Sequence, residues 1–220
     1  MISTGFQELD DVIGGLKKGR LYGLTTLNCD RIGAEYFALD MIDHIRRSAF
    51  FHPTVDCSYL MTHAEAHYQF KPQFFNQNPD ENAEDVCEKF ESLYRDTPFE
   101  LAIFDIDKMT ARDRKQFSCR PHEIKHIIRL FQALAEKYHI PVVLINRCHD
   151  LRSAPSSHFP GKQLDPCGYP RALIETAEKI LVLSRTPHQY IWKISIYDHF
   201  SLKETLLIDK SEKKPAGNPA

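Results

Sequence analysis

Asn28-Cys29-Asp30-Arg31-Ile32-Gly33-Ala34-Glu35 decides the fold, because a strand candidate runs into this stretch and a helix candidate runs out of it. The apolar run 21–27 precedes it and predicts a buried strand. After it, apolar residues recur at helical spacing and predict an amphipathic helix that continues to about Ala49; these residues are Ala34, Phe37, Ala38, Met41 and Ile45. The stretch therefore stands where a strand–turn–helix unit would place a phosphate-binding loop.

The side chains that such a loop uses are missing. A phosphate-binding loop needs small glycines, a Lys for the β- and γ-phosphates, and a Ser or Thr hydroxyl for Mg²⁺. Gly33 is present, but Ala34 stands at the Lys position and Glu35 at the Ser/Thr position. Glu35 would put a negative charge where phosphate should bind, so we expect the original chemistry of the loop to be lost.

The composition favours one cytoplasmic α/β domain. The chain has 220 residues, 42% of them hydrophobic, and a net charge of −2, which gives no reason to expect nucleic acid from bulk charge. Six cysteines without a C-x-x-C pair suggest reduced thiols. With no leader sequence and no apolar run near the ~18 residues of a membrane span, we expect a cytoplasmic protein with no membrane partner. We assign 1–208 to one domain and 209–220 to a flexible tail.

Strand and helix candidates alternate along the chain and are followed by antiparallel strands. This order predicts an α/β fold with a mostly parallel central sheet, helices on both faces, and an antiparallel hairpin at the C-terminal edge. The predicted strands are 21–27, 57–61, 101–104, 142–145, 180–184, 190–197 and 203–208, and the main helices after the first are 81–95, 122–138 and 171–177. Residues 62–81 are predicted to form a short helix and then a loop.

In order and spacing, several segments resemble the RecA-like ATPases, most closely the motor domain of DnaB-type replicative helicases, with KaiC-like relatives second. The first segment runs from Ser3-Thr4-Gly5-Phe6 through Gly14-Gly15 to Gly19. Residues 101–105, four apolar residues and an Asp, are similar to the family's metal-side strand. Residues 134–143 are similar to the helix and strand that carry the helicase's sensor residue. The resemblance spans about residues 3 to 208 and implies a three-layer RecA-like fold.

The resemblance also implies a degenerate nucleotide site. The catalytic Glu position falls near Thr62-His63, the sensor Gln near Arg147 and the Lys-x-Arg finger near 197–199, while Asp105 alone keeps its residue type. The expected remnant of the site consists of Asn28, Arg31, Gly33, Ala34, Glu35, His63, Asp105 and Arg147. We therefore expect no catalytic residue, no cofactor and no metal site. The alternative for Asp105 is a strand-end carboxylate that caps a turn.

Two histidine patterns have metal-type spacing. The stretch His122-Glu123-Ile124-Lys125-His126 matches H-E-x-x-H, the zinc-protease helix motif. His63 and His67 form a second i, i+4 pair, with Cys57 upstream. Each pattern also fits an ordinary helix surface, which is the alternative reading of both.

Basic residues gather in two connections, 108–120 and 147–170. In RecA-like helicases, loops at these places hold single-stranded DNA, and here cations and aromatic rings suit that role. The DNA-binding candidates are Arg112, Arg114, Lys115, Arg152 and Lys162. A solvated charged connection is the alternative.

Three functional hypotheses follow. The first is a catalytically inactive paralogue that acts as a protein-interaction or assembly module in DNA replication or recombination. Its expected partner is a second copy of itself or a RecA-like ATPase or helicase. The second is an accessory protein that binds single-stranded DNA. The third is a weak ATPase with rearranged ligands, such as Arg31 in place of the lost Lys.

Overall fold

One sheet of eight strands organises the part of the chain that the computed structural model describes: residues 1–26, 33–52, 57–78, 81–106, 121–146, 171–186 and 191–209. The strand order across the sheet is β3-β2-β4-β5-β1-β6-β7-β8. The strands are β1 (Leu21–Thr26), β2 (Ser48–His52), β3 (Gln73–Asn76), β4 (Leu101–Asp105), β5 (Val142–Ile145), β6 (Lys179–Arg185), β7 (Ile191–Asp198) and β8 (Ser201–Asp209).

The first six strands are parallel, and β7 and β8 add an antiparallel hairpin at one edge. This arrangement confirms the predicted α/β class with its mostly parallel sheet and C-terminal hairpin. The parallel direction matters for the site, because every parallel strand ends at the same edge of the sheet.

Helices occur along the whole described chain and pack against the sheet. They are α1 (Gln7–Ile13), α2 (Gly33–Ile42), α3 (Ser58–His67), α4 (Ala83–Asp96), α5 (Pro121–Tyr138) and α6 (Arg171–Thr176). Among the described residues, no helix is both long enough and apolar enough to cross a membrane.

Successive residues of β4 show how the sheet divides the interior into two cores. Ile103 belongs to a cluster that includes residues of α1 and α2, whereas Ala102 and Phe104 belong to a second cluster with α4, α5 and α6. This alternation follows from the strand's period of two. All five residues of β4 are buried, so helices cover both faces of the sheet's centre.

The predicted second strand was wrong. Residues 57–61, predicted as a strand, form the start of α3, and β2 lies upstream at Ser48–His52, where we had predicted the end of the first long helix. That helix, α2, ends at Ile42 instead of continuing to Ala49. Both segments are short apolar runs, which periodicity alone cannot assign. Pairing with β3 and β4 on its two sides buries all five residues of β2.

The predicted loop after the second strand also contains regular structure. Residues 73–76 form β3, the edge strand that pairs in parallel with β2. The remaining main predictions agree with the structure to within one or two residues at each end, and 142–145 is a strand as predicted. The long helix 122–138 is α5, which begins one residue earlier at Pro121.

Gly14 and Gly15 provide a matched pair for a stability prediction. Both have φ of 72°, a left-handed conformation that costs other residues about 1–2 kcal/mol. A Cβ at Gly14 would have no neighbour within 4 Å, whereas a Cβ at Gly15 would lie 2.8 Å from the backbone oxygen of Ile2. That oxygen accepts a hydrogen bond from Leu16 N at 2.7 Å, so it cannot move without breaking a bridge.

We therefore expect Gly15→Ala to lower the free energy of unfolding by about 3 kcal/mol and Gly14→Ala by only about 1 kcal/mol. Urea denaturation of both variants, followed by circular dichroism, measures the difference. Equal losses would contradict the predicted clash with Ile2.

Candidate functional site at the carboxyl edge of the sheet

Buried polar residues collect where the central parallel strands end. Thr26 ends β1, His52 ends β2, Asp105 ends β4, and Asn146 directly follows β5; all four are buried. In open α/β sheets, ligands bind outside the carboxyl ends of the strands. A cluster of polar groups at this edge is therefore the natural place to look for a binding site.

Glu35 reaches this edge from the first turn of α2. Its side chain is fully buried, which is costly for a carboxylate unless hydrogen bonds or positive charge compensate. Tyr59, on α3, donates its hydroxyl to Glu35 Oε2 at 2.5 Å. Glu35 Oε1 lies 3.2 Å from His52 Nε2, and the Tyr59 hydroxyl is 3.3 Å from the same nitrogen. Three side chains from three elements thus form one network, in which Glu35 and His52 are buried and Tyr59 is exposed at the surface.

Asp105 completes a group of three possible metal ligands. One ligand atom from each of Glu35, His52 and Asp105 lies within 4.8 Å of the other two, and all three residues are buried. Such a set of two carboxylates and one imidazole has the chemistry to hold a divalent cation. Among the described residues it is the one group of three or more His, Cys, Asp or Glu side chains with this geometry.

Gln77 holds the ends of β2 and β4 together below this group. Its side-chain nitrogen donates to the backbone oxygen of Phe51 at 3.3 Å and to that of Asp105 at 3.4 Å. These two strands are also paired in register, with Phe51 opposite Phe104. His52 and Asp105 therefore project from neighbouring strand ends whose relative position is fixed by the sheet.

A second tie joins the ends of β1 and β5. Thr25 Oγ1 donates to the backbone oxygen of Asn146 at 2.5 Å, and Asn146 N donates to the backbone oxygen of Leu24 at 3.1 Å. Both side chains are buried. These two hydrogen bonds therefore fix the end of β1 relative to the end of β5.

The structure assigns clear places to the phosphate-loop positions that it describes. Gly33 is the first residue of α2, the next described element after β1. Ala34 is 1% exposed and belongs to the apolar core beside α2. Glu35 belongs to the network with Tyr59 and His52 that is described above. Asn28 and Arg31 lie outside the described residues, and their predicted roles stay predictions.

His63 is not part of the three-residue ligand group. It lies on α3, where its ring packs against Tyr36 at 4.6 Å and His67 at 4.7 Å between centroids. Thr62 and His63 lie within α3, whereas the second strand ends at His52. His52, and not His63, lies in the group with Glu35 and Asp105.

The Tyr68 hydroxyl, at the C-terminal end of α3, has a hydrogen-bond partner on α2. Its hydroxyl donates to Asp40 Oδ1 at 2.6 Å. Burial raises the pKa of Tyr68, and the negative charge of Asp40 raises it further, so the phenol remains a hydrogen-bond donor at neutral pH. This pair ties α3 to α2 beside the candidate site.

Neither histidine pattern forms a metal group in the described part of the chain. In the H-E-x-x-H stretch, His126 Nε2 contacts Glu84 Oε1 at 2.7 Å, and both side chains are exposed. Near the second pair, Cys57 Sγ donates to Asn76 Oδ1 at 3.0 Å. The imidazole that does join two carboxylates, His52, belongs to neither pattern.

The remaining predicted positions divide between described and undescribed residues. At the predicted finger, Asp198 accepts from Lys179 Nζ at 2.9 Å, and His199 Nδ1 lies 3.2 Å from the backbone oxygen of Ile174. The Lys179 ammonium lowers the pKa of Asp198. Several predicted residues lie outside the described part of the chain, namely Arg147 and the DNA-binding candidates Arg112, Arg114, Lys115, Arg152 and Lys162.

The comparisons with known proteins identify the class of fold. No known family model matches the sequence, and no curated protein matches it either. Among solved structures, the chain is similar to the RadB recombinase, with a TM-score of 0.65 and 19% identity over 94% of each chain. The fold is therefore RecA-like, as the sequence predicted. A likeness at this level of identity shows the fold alone, and the DnaB-type assignment stays a prediction.

Proposed function

We propose that the protein is a catalytically inactive RecA-like protein that acts as an assembly module in DNA recombination or replication. The observation that carries this proposal is the position of Glu35. Its buried carboxylate lies in the first turn of α2, and a tyrosine hydroxyl and a histidine hold it there. In an active relative, the hydroxyl that binds the Mg²⁺ of the nucleotide would occupy this position.

Electrostatics argues against nucleotide binding at this edge. Two like unit charges 4 Å apart repel by about 4 kcal/mol at an effective dielectric constant of 20. Glu35 would therefore oppose each nearby phosphate charge, and Ala34 supplies no ammonium to offset it. Because phosphoryl transfer depends on positioning and charge stabilisation, losing the Lys and the hydroxyl together removes most of the catalytic machinery.

The assembly role is supported by the fold that the chain retains. RecA-like domains associate side by side, and the similar solved structure is that of a recombinase. A domain whose nucleotide site has decayed can still keep the surfaces that meet a neighbouring domain. The partner that we propose is a RecA-like ATPase with an intact phosphate loop, or a second copy of this chain.

Nucleotide binding tests the inactive state directly. We expect the melting temperature of the protein to be unchanged by 1 mM Mg-ATP, and its ATP hydrolysis to equal the buffer background. An active RecA-like ATPase measured in parallel is the positive control. A saturable rise in melting temperature with Mg-ATP would overturn the inactive assignment.

Association tests the assembly role. Light scattering after size exclusion should detect either a defined oligomer of this chain or a complex with the RecA-family recombinase of the same organism. A monomer that does not bind that recombinase would contradict the proposed role, whatever the outcome of the nucleotide experiment.

A further inference from the structure

We propose that Glu35, His52 and Asp105 bind a divalent transition-metal ion, Zn²⁺ or Mn²⁺, through protein side chains and without a nucleotide. This inference rests on the proposed function in one respect, because it requires that no nucleotide phosphate binds at this edge of the sheet. A nucleotide-dependent Mg²⁺ ion would instead take much of its coordination from phosphate oxygens.

The spacing of the ligand atoms fits a single ion. Metal–ligand bonds of about 2.1 Å separate adjacent ligand atoms by about 3.0 Å at octahedral angles and about 3.4 Å at tetrahedral angles. His52 Nε2 and Glu35 Oε1 are 3.2 Å apart, and no pair in the group exceeds 4.8 Å. Small rotations of the side chains would therefore bring all three atoms into one coordination sphere.

Charge also favours a divalent ion. Glu35 and Asp105 are both 0% exposed, and two ionised carboxylates this close repel each other strongly away from water. A divalent ion coordinated by both carboxylates and by the imidazole nitrogen of His52 would bring two positive charges between them.

The surroundings hold the ligands in place as they do in established metal sites. Metal ligands are commonly oriented by a second set of hydrogen bonds. Tyr59 donates to Glu35 Oε2, the oxygen that does not face His52. Gln77 bridges the ends of β2 and β4, which carry His52 and Asp105. Two of the three ligands therefore stand on paired strands, and the third is fixed by a donor from α3.

The ligand types select the class of metal. An imidazole nitrogen beside carboxylate oxygens suits Zn²⁺, Mn²⁺ or Fe²⁺ better than Mg²⁺ or Ca²⁺, which prefer oxygen ligands alone. By the usual order of affinities, Zn²⁺ should bind more tightly than Mn²⁺. Three protein ligands leave at least one coordination position for water.

Calorimetric titration of chelator-treated, full-length protein with ZnCl₂ or MnCl₂, in the absence of nucleotide, tests the site. We expect one ion per chain at this site. His52→Gln and Asp105→Asn should each weaken its binding by at least about 100-fold, and Tyr59→Phe by about 10-fold. The matched control is the double variant His122→Gln/His126→Gln, which removes the exposed histidines of α5 and should leave this affinity unchanged.

Circular dichroism of each variant separates loss of ligands from loss of fold, and Tyr59→Phe keeps all three ligands while removing only an orienting hydrogen bond.

Absence of a stoichiometric ion in the folded wild-type protein would overturn the proposal. The proposal would also be overturned if metal binding were lost in the His122→Gln/His126→Gln variant but retained in Asp105→Asn. Metal binding without nucleotide would stand even if the association experiments failed. Conversely, a metal-free protein that still joins a recombinase would refute only this inference.

Discussion

Replacing Phe51 with Ala should lower the free energy of unfolding by about 4 kcal/mol. Phe51 is fully buried in β2. Its ring stacks on Phe75 of β3 at 4.9 Å and on Phe104 of β4 at 4.7 Å, and it contacts Phe90 of α4 at 6.0 Å. Deleting the ring would leave a cavity between three strands and a helix, which a close-packed core cannot collapse to fill.

The control for this prediction is Phe74→Ala, the same substitution on edge strand β3. Phe74 is only partly buried and packs against Phe50 at 5.8 Å, so we expect a loss of about 1–2 kcal/mol. Urea denaturation of the two variants and the wild type provides the comparison. If Phe51→Ala cost no more than Phe74→Ala, the second strand would not be packed between β3 and β4.

Removing the proposed metal ion should also destabilise the protein. At a free-ion concentration 100 times the Kd, an ion that binds only the folded state adds about 2.7 kcal/mol of stability. In a chain of this size, that free energy corresponds to a fall in melting temperature of about 8 °C when a chelator is added. The loss has a structural reason, because chelation leaves Glu35 and Asp105 close together without the ion between them.

Asp105→Asn separates this effect from general sensitivity to chelators. The variant keeps the shape of the side chain but removes one ligand charge, so its melting temperature should not respond to Zn²⁺ or to chelator. Differential scanning fluorimetry of both proteins, with and without each addition, measures the response. An equal chelator effect in the variant and the wild type would place the stabilising ion elsewhere.

The sequence predicted most of the fold because its long elements are strongly periodic. The apolar face of α5 predicts a helix and the apolar run 142–145 predicts a strand, and both predictions agree with the structure. The second strand failed because 48–52 and 57–61 are both short apolar runs. Only the pairing of 48–52 with β3 and β4 decides between them, and that pairing depends on distant residues.

The same failure explains which site residues were missed. Glu35 and Asp105 are predicted from the phosphate-loop and metal-strand positions, but His52 lies outside every predicted strand. Tyr59 was assigned to a strand, although it lies on α3 and donates to Glu35. A signal was present in Ser48–His52, an apolar run that ends in a histidine, as β4 ends in an aspartate.

The hydrogen bonds that join Asn146 to Leu24 and Thr25 have a mechanical consequence. They fasten the point where the chain leaves β1 to the point where it leaves β5. A partner that pulled on the segment after Asn146 would transmit force to the end of β1, two strands from Asp105. The ends of β1 and β5 would therefore move together when a partner binds at either of them.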